Sequence, residues 1–230
     1  MRSVAALLLV CVVGLLCGCA SPYPKSTEGL AEFHRVYEPR PGVAFGDDVY
    51  YEMRNIVPLK IEALPFGYCP QGIGYDDPRY YRVEGTQDWI YEYWRTTRSG
   101  AILATLYRAG AEIPLPERAA QLCVTADVFP PLGGEAKVLL TFDDPALIQS
   151  AAQTLQGSGV QRDTLRLRLV GSLQFRSPEY PGVAVRYSLQ RDSQGRYYLL
   201  TTDLSVIPPL FLACPLDENL NQALHEGLRR

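Results

Sequence analysis

Three successive stretches between Leu165 and Val206 alternate apolar and polar residues, and a period of two over that length permits little besides antiparallel strands. In the first, Leu165, Leu167 and Leu169 alternate with Arg166 and Arg168, which predicts buried leucines and wet arginines. Val183, Val185, Tyr187 and Leu189 repeat the pattern after a turn over Pro178–Gly182. Asp192-Ser193-Gln194-Gly195 then turns the chain into Tyr197–Val206, completing a meander that Pro208-Pro209 ends. Upstream, Gln121–Phe129 and Ala136–Phe142 read as an antiparallel pair joined through Pro130-Pro131-Leu132-Gly133-Gly134. Asp144 followed by Pro145 is a helix start, because the carboxylate accepts from free N–H groups and proline has none to lose. That helix is expected to run from Ala146 to Gln156, with Gly157 as its stop. Asp217 caps a last amphipathic helix built on Leu220, Leu224 and Leu228. The order predicts an α+β fold, an antiparallel sheet with helices packed on one face.

The first half is aromatic and harder to partition. Val49-Tyr50-Tyr51, Pro58–Leu64 and Tyr80–Val83 read as short strands, with Tyr68–Pro78 a loop rich in Gly, Pro and Asp. Thr86 reads as an N-cap, and Ile90, Tyr93, Trp94, Thr97 and Ala101 follow at helical steps, so a helix broken near Gly100 is expected up to Gly110. Residues 20–46 carry Pro22, Pro24, Pro39, Pro41, Gly42 and Gly46 with no sustained apolar period, and read as a flexible tether. The body expected beyond it is one domain over 47–230, with a point of subdivision near 110–118.

At the front of the chain, Val4 to Leu16 holds 13 residues without a charge. As a helix this run covers roughly 20 Å, short of the about 30 Å of a bilayer core, which suits a signal-peptide apolar region over residues 1–18. The run closes on Leu16-Cys17-Gly18-Cys19, which resembles the lipobox of bacterial lipoprotein precursors. The resemblance implies cleavage before Cys19, diacylglycerol on its thiol, a further acyl chain such as palmitate on the new amino group, and a tether over 19–46. Two or three chains anchor stably where one does not. Ala20, standing where an Asp would retain the protein at the inner membrane in the enterobacterial pattern, implies the periplasmic face of the outer membrane.

Removing residues 1–18 leaves 21 Lys and Arg against 25 Asp and Glu, and this balance argues against a nucleic-acid partner. Cys69, Cys123 and Cys214 allow one disulfide at most. Cys69 and Cys214 each precede a proline in loop-like surroundings and are the better pair, while Cys123 lies in a strand-like run. The two histidines, His34 and His225, are poorly placed for a general base, and there is no Gly-x-Ser-x-Gly. No metal site, cofactor or catalytic residue is expected. Asp47-Asp48, Asp76-Asp77 and Asp143-Asp144 leave a carboxylate-dependent hydrolase as the remote enzymatic alternative. Tyr68, Tyr75, Tyr80 and Tyr81 form either a core wall or a recognition surface able to stack on sugars or a protein. The leading expectation is a non-enzymatic envelope lipoprotein that binds another envelope protein. The alternative is a module that binds peptidoglycan or another glycan through residues 68–81.

Overall fold

The computed structural model describes residues 26–70, 76–96, 100–126, 130–157, 159–203 and 210–229. The fold is α+β, with two mostly antiparallel sheets and two α-helices among the described residues. The first sheet contains β1 (Ala31–Glu32), β2 (His34–Val36), β3 (Gly42–Phe45), β4 (Asp48–Glu52), β6 (Gly67–Tyr68), β7 (Arg79–Arg82), β8 (Trp89–Thr96) and β9 (Gly100–Arg108). Its order is β1-β6-β7-β8-β9-β4-β3-β2, so its two ends are β1 and β2, which Phe33 alone separates. One extended segment thus pairs with β6 on one side and β3 on the other, and the sheet closes into a small barrel. Closure leaves these strands no free edge. The interior cluster confirms the geometry: Phe33, Val43, Tyr50, Cys69, Tyr80, Ile90 and Leu106, one residue from each wall segment, are all buried.

Two expectations fail here. Residues 20–46 are not a tether throughout, because β1, β2 and β3 lie within them and Phe33 and Val43 are fully enclosed. Prolines and glycines at 39–46 punctuate a tight hairpin rather than a loose linker. The helix expected from Thr86 to Gly110 is instead the β8–β9 hairpin, paired from Trp89↔Tyr107 to Thr96↔Gly100. Trp89 and Tyr91 face the larger core while Ile90 faces the barrel interior, so both sides of β8 are apolar. A strand buried on both faces loses its alternation and mimics a helical stripe. Thr86 does cap locally, accepting from the Asp88 N–H at 3.1 Å, but in a turn that starts a strand.

β5 (Ile56–Pro58) carries the chain to the second sheet, where it pairs with β14 (Val183–Arg191). The remaining strands are β10 (Gln121–Thr125), β11 (Val138–Phe142), β12 (Val160–Gln161), β13 (Arg168–Arg176), β15 (Tyr197–Asp203) and β16 (Leu210–Pro215), ordered β11-β10-β13-β14-β15-β16-β12. The β14–β15 hairpin of the meander and the β10–β11 pair form where the sequence predicts them, whereas β13 starts only at Arg168, beyond most of the Leu165–Leu169 alternation. β16 is missed by the sequence reading, since it is a short run between Pro209 and Pro215. The helix α1 (Pro145–Thr154) begins with the Asp144 Oδ1 accepting from the Ala146 N–H at 2.8 Å. In α2 (Glu218–Leu228) the Asp217 carboxylate accepts from the Leu220 N–H at 2.8 Å and also from the Ser150 hydroxyl, which ties the start of α2 to the middle of α1.

The helices cover the sheet face that carries Leu122, Val124, Leu173 and Tyr197. A Cβ on Gly227 would overlap the Leu140 side chain, and Asn221 accepts from the Tyr197 N–H at 2.7 Å. Ile148, Ala151, Leu220 and Leu224 join that cluster, as do Ile61, Tyr81, Val83, Trp89 and Tyr107 from the barrel side. The barrel and the second sheet therefore share one large core, and the chain passes between them from Arg108 to Gln121.

The expected Cys69–Cys214 bridge is not made: Cys69, Cys123 and Cys214 are all buried free thiols. Cys69 closes the barrel interior, whereas Cys214 is a strand residue of β16 in the other sheet. The flanking prolines that suggested loops mark strand ends instead.

Candidate functional site

The tyrosines singled out as a recognition surface do not form one. Tyr80 and Tyr81 are 0 % exposed, on opposite faces of β7, one inside the barrel and one in the shared core. Tyr68 is partly buried and donates its hydroxyl to Glu32 at 2.8 Å. Tyr75 lies outside the described residues. The tilted ring pair Phe33–Tyr80, with centroids 4.5 Å apart, shows what the aromatics do: they fill the barrel.

Several of the carboxylates are likewise occupied in structure. Asp144 caps α1, Asp143 accepts from Gln121 at 2.8 Å, and Asp48 and Asp88 both pair with Arg108. Among the described residues no group of three His, Cys, Asp or Glu side chains is placed to hold a metal ion.

The site with the most distinctive chemistry lies at one end of the second sheet, in a cleft of about 980 Å³. Arg162, Arg166, Arg168 and Arg191 line it together with Asp163, Asp192, Ser193 and apolar residues that include Leu167 and Leu169. In the sequence, Arg166 and Arg168 are simply the wet half of an alternating strand. The structure differs because residues 162–164 form a 3-10 turn and β13 starts only at Arg168. A bulge then breaks the register between Leu169 and Gly171. Leu169 opposes Gln190, while Gly171 opposes Leu189, so the residue inserted between them is Val170. An inserted residue reverses which face every earlier side chain takes. Leu169 is therefore 60 % exposed instead of buried. Arg168 turns to the helix-bearing face, directly opposite Arg191.

Gly171 makes this close passage feasible, since a Cβ there would overlap the Thr125 carbonyl oxygen. Arg191 in turn is steadied by the Tyr197 ring, 5.5 Å from its guanidinium carbon to the ring centroid.

Two guanidiniums facing one another across strands repel unless an anion neutralises them. The nearest carboxylates do not. Arg162 pairs with Asp163 at 3.6 Å, an exposed contact between neighbours. Asp192, whose side chain is 8 % exposed, is committed to its own turn. It accepts from the Arg196 Nε at 2.9 Å, from the Gln194 and Arg196 backbone N–H groups at 2.9 Å, and from the Tyr198 hydroxyl at 3.1 Å. Burial alone would raise this carboxyl, but the hydrogen bonds from Arg196, Tyr198 and Gln194 outweigh it and hold the group below the usual carboxylate range. Asp192 lines the cleft but stays ionised with its oxygens engaged in its own turn. Among the described residues no ion pair engages Arg166, Arg168 or Arg191.

The stability cost of this arrangement is measurable. Arg168→Glu converts a repulsive cross-strand pair into an attractive one and is expected to stabilise the fold by about 0.2–1 kcal/mol, at the lower end in physiological salt. Urea denaturation at low and high salt checks it. A destabilised variant would mean that Arg168 is held by contacts other than its long-range repulsion.

Arg186, between Val185 and Tyr187 in the second alternating stretch, is not part of this cleft: burial lowers its guanidinium below the ordinary arginine value, against an opposing influence from Tyr91. Comparison with protein-family models, with curated proteins and with solved structures returns no match to this chain.

Proposed function

We propose that this chain is a lipid-anchored protein of the bacterial envelope that acts by binding a neighbour, a protein assembly foremost, at the periplasmic face of the outer membrane. The observation that carries the reading is Leu16-Cys17-Gly18-Cys19 at the end of an uncharged run too short to span a bilayer. These residues lie outside the described part of the structure, and the strands that begin at Ala31 limit the tether to the stretch before them. A shorter tether keeps the barrel closer to the membrane. The arginine cleft adds support for binding, since four guanidiniums and several apolar side chains line it and its Asp192 carboxylate is engaged by Arg196, Gln194 and Tyr198. A glycan partner would have to be met by Tyr68 and Tyr75 without the two enclosed rings.

Cys19→Ala tests the anchor. Wild-type protein is expected to sediment with membranes and to show acyl groups on its N-terminal peptide by mass spectrometry. The variant is expected in the soluble fraction. A variant that remains with membranes, or a wild-type peptide without fatty acyl groups, rejects the anchor. Crosslinking in intact cells followed by purification tests the partner, and repeated recovery of no stoichiometric envelope protein rejects a binding role in an assembly.

A further inference from the structure

We infer that the cleft lined by Arg162, Arg166, Arg168 and Arg191 is a binding site for a phosphate-bearing ligand whose body is partly apolar. This goes beyond the proposed envelope role and does not depend on the lipid anchor. Three observations combine. The first is convergence: four guanidiniums line one concavity in a chain with 22 basic and 25 acidic side chains overall. The second is that Arg168 and Arg191 stand directly opposite on adjacent strands, a placement the fold reaches only through the bulge before Gly171. Bulges of this kind re-aim side chains. The third is the commitment of Asp192 to Arg196, Gln194 and Tyr198, which leaves the pair of arginines without an internal counterion there.

The chemistry favours phosphate over carboxylate. A carboxylate carries one charge and two oxygens, enough to satisfy a single guanidinium fork. A phosphomonoester carries close to two charges and three terminal oxygens, and so can engage several forks together. Leu167 and Leu169 also line the cleft, and Leu169 is largely exposed. Apolar contact beside the cations suits an organic phosphate, in which a non-polar body adjoins the charged group. Such a phosphate is either a soluble ester or the headgroup of a lipid.

Isothermal titration of the full chain in nonionic detergent distinguishes these sources. The probes are inorganic phosphate, glycerol 3-phosphate and the short-chain lipid dihexanoyl phosphatidic acid, with acetate as the carboxylate control. At low salt, at least one phosphate probe is expected to bind saturably, to outcompete acetate and to weaken as salt rises. Equal binding of glycerol 3-phosphate and the lipid assigns a soluble ester; binding that needs the acyl chains assigns a headgroup. Arg168→Gln/Arg191→Gln is expected to lose at least tenfold in affinity while melting no lower than wild type, because it removes like charges. Arg166→Gln, outside the strand, provides a second variant with the same expected direction should the double variant fold poorly. Arg118→Gln, at an arginine paired with Glu112, is expected to bind as wild type does. The inference is overturned by the absence of saturable phosphate binding, by acetate binding as well as phosphate, or by arginine variants that bind unchanged. Loss of the anchor reading through Cys19 would leave all of these measurements as they are.

Discussion

Phe33→Ala is expected to destabilise the protein by about 3–5 kcal/mol, although the residue lies in a stretch whose composition resembles a linker. The ring is 0 % exposed at the point where the barrel closes. It is stacked on Phe45 at 5.1 Å between centroids, tilted on Tyr80 at 4.5 Å and edge-on to Phe66 at 5.6 Å. Removing it empties the centre of the interior, and the surrounding rings, Phe45, Tyr50, Phe66 and Tyr80, belong to four different strands or links that cannot all move inward. A drop in melting temperature on the order of 10 °C corresponds to such a loss for a chain of this size. The local backbone supplies a sharper form of the test. A Cβ on Gly67 would overlap the Phe33 ring, so Gly67→Ala alone is destabilising. In the Phe33→Ala background the same methyl enters vacated space and partly restores stability. The two substitutions should therefore couple by more than about 1 kcal/mol in a double-mutant cycle. Additive effects, or a silent Phe33→Ala, would show that residues 31–36 do not close the barrel.

The second large effect concerns charge inside the same barrel. Arg35 Nη2 meets Glu92 Oε1 at 2.7 Å, with the carboxylate side chain 7 % exposed. Burial pushes the Glu92 carboxyl above its ordinary value; the Arg35 charge and hydrogen bond oppose this, and Glu52 adds to the rise. Arg35→Ala removes the opposing influences and leaves an unpaired buried carboxylate. The expected loss at neutral pH is about 3 kcal/mol, the lower part of the range for breaking a buried pair, because Arg35 itself is partly wet. The pH dependence follows from the sign of the shift. A carboxyl raised in the folded state favours folding when protonated, and that contribution is lost as pH rises through the folded-state value. The variant is raised further than wild type, so its deficit should be largest at neutral pH and shrink toward about pH 4. Arg35→Ala/Glu92→Gln should recover much of the loss, since an amide has no charge to strand. Chemical denaturation at several pH values reads both outcomes, and a deficit constant from about pH 4 to 8 would reject the buried carboxylate as its cause.

These two predictions share the region where sequence and structure part most widely. Ile90, Tyr93, Leu103, Leu106 and Tyr107, which stand at helical steps, are strand residues facing two different cores, and no local feature separates those alternatives. The tyrosines at 80 and 81 are enclosed for the same reason, one on each side of a strand with no wet face. Cys214 reads as a loop residue because prolines flank its strand, and pairing with β15 decides otherwise. The arginine cleft was half legible. Arg166 and Arg168 stand out in the alternation, but Arg191 joins them only through cross-strand register, and the bulge inverts the facing of Leu169. The pattern of small residues holds one trace of it, Gly171, whose role is visible only against Thr125 of the neighbouring strand.

What the residues specify from their immediate neighbours came through where no bulge intervenes: Asp144-Pro145 and Asp217 start the two helices, and the period of two lays out β14 and β15. Capping and alternation act over a few residues, so they can be read along the chain. Barrel closure through Phe33, the pairing of β5 with β14, and the meeting of Arg168 with Arg191 depend on segments far apart in sequence. Those contacts form only when distant strands find a common register, and that choice is made by the packed core and not by any one stretch of chain.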